Sequence, residues 1–200
     1  GSGISGDVLA ASSNGELPVP VSVHKQIRTP AYIGPRTLVF AVSYSGDTEE
    51  TVSMTRGAIE AGAQVVAVAS GGELARMAAD AGALHVPCPN GYMPRAAIGT
   101  LVAPILGTLG AMGLLSDTDA SIRAAIDQLA RRRDASTRDV TGPENIAREV
   151  ARRIDGTIPL VYGGGAIGGV AAMRWKCDIN ENAKAPAFWA AYPELDHNEI

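Results

Sequence analysis

TLVFAVS (37–43) and QVVAVAS (64–70) are short, uninterrupted apolar runs rich in small and β-branched residues, set between glycines and prolines. Such runs predict strands of a parallel sheet buried on both faces. Thr48 to Gly62 predicts a helix. Thr48 stands at the N-cap, Glu49 and Glu50 fall in the first turn, and Gly62 ends it. GELARMAADAG (72–82) has the pattern of an amphipathic helix closed by Gly82, and ALHVPCP (83–89) of a short strand. PVPVSVH (18–24) is β-branched but punctuated by prolines, so it is an edge strand at best. Polar-faced helices are expected over 118–134 and, behind Pro143, over about 144–155. IPLVYGG (158–164) is another apolar run ending in glycines. Residues 165–184 predict a helix of small residues that becomes polar at its end.

Repeated strand–glycine–helix units define an α/β fold, a parallel sheet with helices on both faces. A first subdomain is expected over residues 1–140, and the start of a second over 141–200. Ala96–Leu115 is a run of 20 residues without a charge, long enough to suggest a membrane span. Pro104 and four glycines inside it suit a helix buried in a soluble core or a subunit interface better.

Composition changes this picture little. The chain has 46% hydrophobic residues and 19% charged residues, enough to bury a core. A net charge of -4 argues against nucleic acid as a partner, since a phosphate-tracking surface is normally basic. The run Arg131-Arg132-Arg133 reads as a solvated helix end. Two cysteines far apart, Cys88 and Cys177, form neither a disulfide framework nor a metal-ligand spacing, which points to a reducing, cytoplasmic compartment.

The candidate chemistry sits in the connections. SYSGDT (43–48) joins a strand end to a helix start, where unpaired N–H groups and small hydroxyl residues can cradle a phosphate. It is not a nucleotide triphosphate loop, because no lysine follows the glycine. The same residues also suit a plain tight turn with Thr48 as a helix cap. Asp47 fits the anion reading poorly, and asparagine would suit that place better. GSGISGD (1–7) is a second glycine–serine loop, with Ser2 offering a hydroxyl. Glu181, between two asparagines in NENAK, is a candidate general base. His197, in PELDHNEI, is the side chain whose proton moves most readily near neutral pH. Asp196, His197 and Glu199 are too tightly spaced for a closed metal site. Arg95, after Pro94, can hold a developing negative charge.

GSGISGD, SYSGDTEET, SGG (70–72), PRAA (94–97), RWKCDINENAK (174–184) and PELDHNEI (193–200), in that order, resemble the bifunctional phosphoglucose/phosphomannose isomerases of the sugar isomerase (SIS) domain superfamily. The resemblance implies two SIS subdomains with flavodoxin-like, three-layer parallel sheets. It implies a homodimer that interconverts glucose 6-phosphate or mannose 6-phosphate with fructose 6-phosphate, without metal or other cofactor. By resemblance, Ser2, Ser43, Ser45 and Thr48 bind the phosphate and Glu181 moves the proton between C1 and C2. Arg95 stabilises the cis-enediolate, and His197 opens the sugar ring from the partner subunit. The family's first strand and its C-terminal part, with a lysine near the sugar, have no counterpart here, so a chain trimmed at both ends is expected. A non-catalytic SIS module that binds a sugar phosphate and regulates a partner is the alternative.

Overall fold

Alternate residues of QVVAVA are buried on opposite sides of one sheet. Val66 and Val68 join a cluster with Leu9, Leu101, Ile105 and Leu109, whereas Val65, Ala67 and Ala69 join Ala58, Leu74 and Ala78. Period-two side chains with both faces covered explain why the run is apolar throughout. In the computed structural model, which describes residues 2–13 and 15–199, Gly1, Asn14 and Ile200 lie outside the described residues. The outer residues of GSGISGD and PELDHNEI are therefore among those not described.

The chain divides into two units, Gly1–Leu115 and Ser116–Ile200. In the first, strands β1 (Leu38–Val42), β2 (Gln64–Ala69) and β3 (Leu84–Pro87) are parallel and lie in that order. Helices α1 (Ile4–Ser12) and α4 (Ile98–Ala111) supply the first cluster, and α2 (Glu49–Glu60) and α3 (Gly72–Asp80) the second. The result is a three-layer α/β unit, as the sequence pattern predicts. PVPVSVH forms no strand.

The uncharged run resolves into a turn of 3-10 helix, Pro94–Ala96, and α4. Among the described residues no helix is long and apolar enough to cross a membrane. Pro104 lies inside α4 and has no N–H to give the Thr100 carbonyl one turn back. The Cys88 thiol supplies a donor instead, its Sγ 3.2 Å from the Thr100 oxygen. Burial pushes the Cys88 thiol above its ordinary range, which keeps it protonated and able to donate.

The second unit contains α5 (Thr118–Asp134), α6 (Ile146–Ile154), β4 (Leu160–Gly164), α7 (Gly165–Asp178), β5 (Phe188–Tyr192) and the short α8 (Leu195–Asn198). α5 has no buried residue, and Arg131, Arg132 and Arg133 are exposed in its last turn. No core packing therefore pins the limit between units to either side of α5. The buried Asn145 caps α6, accepting from the Arg148 N–H at 3.0 Å. β4 and β5 are parallel, in register from Leu160↔Phe188 to Gly164↔Tyr192, with α7 as the crossover. A Cβ on Gly163 would lie 2.0 Å from the Gly168 oxygen, so the small residues let helix and strand approach closely. The helix expected over 165–184 changes to a π-helical turn at Ile179–Ala183 and stops at Lys184, whose φ is 57°.

Cys88→Ala should cost about 1–3 kcal/mol in urea unfolding, because it strands the Thr100 carbonyl. In a Pro104→Ala background, where an amide N–H can reach that carbonyl, the same change should cost about 1 kcal/mol less. Equal costs in the two backgrounds would contradict the pairing.

Candidate functional site: a hydroxyl cradle and a separated acid–base pair

In the first unit all three strands point the same way, so their carboxyl ends share one edge. SYSGDT leaves β1 there, Ser70-Gly71 leaves β2, and residues 88–93 leave β3 for the turn that carries Arg95. Ser2, ahead of α1, joins this edge, since its Oγ accepts from the Tyr44 N–H at 3.2 Å. Ser43 is fully buried, and its hydroxyl lies 2.7 Å from the Thr48 hydroxyl and 3.2 Å from the Gly46 nitrogen. Ser45 and Thr48 are exposed. Thr48 is at the N-cap of α2, as expected, yet its hydroxyl makes no capping bond to the helix and turns to Ser43. The structure thus brings Ser2, Ser43, Ser45 and Thr48 into one loop cluster, with Ser43 beneath the surface that the others line.

Asp47 has a structural explanation that the sequence did not offer. Its Oδ1 accepts from the Glu73 N–H at 2.8 Å, in the first turn of α3. The N-cap of α3 is Gly71, which has no side chain, so Asp47 caps that helix from a neighbouring loop. The negative charge meets the positive end of the α3 dipole. Gly46 makes the approach possible: its φ is 83°, and a Cβ there would lie 1.9 Å from the Gly71 oxygen. The Gly46 carbonyl accepts from the Leu74 N–H at 3.0 Å and completes the seam.

Arg95 lies partly buried in the 3-10 turn Pro94–Ala96. Tyr44, which sequence reasoning passed over, links that segment to the cradle. Its hydroxyl donates to the Pro89 carbonyl and accepts from the Tyr92 N–H, both at 2.9 Å. An aromatic side chain among five small or polar residues was the available signal.

In the second unit Glu181 sits exposed in the π-helical turn after α7, between Asn180 and Asn182. Asn180 Nδ2 donates to the Ala185 carbonyl at 2.8 Å, and Asn182 Nδ2 to the Asp178 carbonyl at 2.9 Å. The amides fold the turn on itself and leave the carboxylate outward. His197 is exposed in α8, beyond the other end of β5. α7 begins where β4 ends and runs back along the sheet, so Glu181 lies at the amino end of β5 and His197 past its carboxyl end. Five extended residues span about 17 Å, so within this unit the structure does not bring the two side chains together. Among the described residues no group of His, Cys, Asp and Glu gathers as a metal site. Near His197, the Tyr162 hydroxyl donates to Glu199 Oε2 at 2.6 Å, and this bond raises the Tyr162 pKa.

Comparison with known proteins bears on the fold and the family. Residues 143–200 match the family described as the bacterial phospho-glucose isomerase C-terminal SIS domain. The whole chain is 36% identical, over 200 residues, to a bifunctional phosphoglucose/phosphomannose isomerase from Caldicellulosiruptor bescii, covering 59% of that protein. It is also 32% identical over 201 residues to a D-glucosamine-6-phosphate 4-epimerase from Sulfolobus acidocaldarius, covering 60% of it. A solved structure of a candidate phosphosugar isomerase from Silicibacter pomeroyi DSS-3 superposes with a TM-score of 0.76 at 20% identity, over 100% of this chain and 60% of that one. The fold is that of the SIS domains. Residues 143–200 thus fall in a SIS-domain family, and the whole chain is similar to the bifunctional phosphoglucose/phosphomannose isomerase from C. bescii, spanning about three-fifths of the length of these curated relatives.

Asp47→Ala should lower stability by about 1 kcal/mol, the usual cost of losing a cap. Asp47→Asn, which keeps an acceptor oxygen, should cost much less. Urea unfolding reads both, and equal losses would remove Asp47 from the α3 cap.

Proposed function

We propose that the protein is an aldose–ketose isomerase that interconverts glucose 6-phosphate, mannose 6-phosphate or both with fructose 6-phosphate, through a cis-enediolate and without a metal ion. The observation that carries this reading is the hydroxyl cradle at the strand ends of a chain aligned over its whole length with a relative of that name. Ser2, Ser45 and Thr48 hold the 6-phosphate, supported from below by Ser43. The first N–H groups of α2, which the Thr48 hydroxyl does not cap, add donors for the anion. Residues 1–140 form the first SIS subdomain and 141–200 begin the second, in keeping with a family match that starts at residue 143.

The chemistry follows from what each group can do. Glu181 takes the proton from the carbon beside the carbonyl and returns it to the neighbouring carbon. The proton is weakly acidic, so the enediolate oxygen needs a fixed positive charge, which Arg95 supplies. His197 opens the ring by moving a proton between the ring oxygen and the anomeric hydroxyl. Its place at the far end of β5 from Glu181 favours a homodimer in which each site takes His197 from the partner subunit. Binding the phosphate, remote from the reacting carbons, orients them. A site that makes little use of the C2 hydroxyl accepts both epimers. Two free cysteines accord with a reducing, cytoplasmic setting.

A coupled assay of the full-length protein with fructose 6-phosphate tests the reading. Glu181→Gln should lower kcat by about 10²–10⁴-fold with sugar phosphate still bound. Ser45→Ala with Thr48→Ala should raise KM by roughly tenfold or more, because bonds to a charged group are lost. Glucosamine 6-phosphate belongs in the same assay, since it shares the phosphate and is named for the relative from S. acidocaldarius. A parent that binds fructose 6-phosphate but forms no aldose would overturn the isomerase and leave a sugar-phosphate sensor.

A further inference from the structure

Tyr44 is 8% exposed, yet every polar group it carries on the backbone and ring bonds to a different segment of the site edge. Its N–H donates to Ser2 Oγ at 3.2 Å. Its carbonyl accepts from the Ser70 N–H at 2.8 Å and from the Ser70 hydroxyl at 2.7 Å. Its own hydroxyl both donates, to the Pro89 carbonyl, and accepts, from the Tyr92 N–H. A phenol can donate once and accept along its remaining lone pairs, so the single oxygen closes the 89–92 turn from inside. Cys88 and Ala97, at the two ends of the segment that carries Arg95, pack in the same cluster as Tyr44. The intervening residues Gly91, Tyr92, Met93 and Pro94 are exposed, so little other packing fixes them.

We propose that Tyr44 is a positioning residue that couples the phosphate cradle to Arg95. This rests on the isomerase reading for its catalytic consequence. Phosphate seated against Ser2, Ser45 and Thr48 stiffens the loop on both sides of Tyr44. The phenol then holds the 89–92 turn in one place, and the turn presents the guanidinium to the enediolate oxygen. Tyr44 touches neither phosphate nor reacting carbons. The residue therefore sits inside the phosphate-binding sequence but acts on the chemical step.

Tyr44→Phe removes one oxygen and leaves the backbone bonds to Ser2 and Ser70. In the full-length protein kcat for fructose 6-phosphate should fall roughly tenfold, as expected for a misplaced catalytic group, with KM within about twofold. The loss should be strongly non-additive with Arg95→Lys. Hydrogen exchange at the Tyr92 amide should quicken by roughly tenfold in Tyr44→Phe. In the parent, saturating inorganic phosphate should slow exchange at the same amide, a measurement that needs no variant to fold. A raised KM with unchanged kcat, additivity with Arg95→Lys, or Tyr92 exchange indifferent to both the variant and phosphate would each overturn the proposal. A parent without isomerase activity would overturn the isomerase reading instead, and Tyr92 exchange would still decide whether Tyr44 joins cradle and turn.

Discussion

The approach of the loop after β1 to the start of α3 governs the first unit. It is close enough that Gly46 has no room for a Cβ against the Gly71 carbonyl. Once the backbone crosses there, several consequences are fixed together. Asp47 reaches the Glu73 N–H and caps α3, while the Gly46 carbonyl reaches the Leu74 N–H. The carboxylate that looked out of place beside an anion site is thereby committed to a helix dipole. Ser43 is buried under the crossing with its hydroxyl toward Thr48, while Ser45 and Thr48 stay exposed. A single backbone crossing thus separates the negative charge of SYSGDT from its donors.

The second unit is governed by another close contact, between Gly163 and Gly168. It lays α7 against β4 and β5, and 14 helical residues carry the chain about 21 Å back to the opposite edge of the sheet. Glu181 is left on that edge, folded into a turn by its flanking asparagines. β5 then returns the chain to the other edge, where α8 carries His197. Glu181 and His197, the proposed base and ring-opening acid, are only 16 residues apart in sequence but are held apart by a strand. Two-fold symmetry is the simplest way for such a separation to serve one site.

Local pattern made most elements legible. β1, β2, α3 and α5 lie within two residues of their expected limits, because both-face burial and helical spacing leave clear marks. β5 was not legible. AFWAAY lies between Pro186 and Pro193 but has no alternation to mark a face, and it becomes a strand by pairing with β4, 28 residues earlier. The π-helical turn was hidden for a similar reason, since NENAK reads as an ordinary polar helix end. Of the site, the hydroxyl residues and Arg95 stood out by residue type. The roles of Asp47 and Tyr44 depend on partners 26 to 48 residues away, which no local window contains. The place of His197 relative to Glu181 likewise depends on strand direction.

The central claim is that each site draws Glu181 from one chain and His197 from another. Its most direct measurement mixes two inactive full-length variants, Glu181→Gln and His197→Ala, unfolds them together and refolds them before assay with fructose 6-phosphate. Random pairing should restore about a quarter of parental activity, because half the dimers regain one intact site. A mixture that stays as inactive as its components would contradict the account.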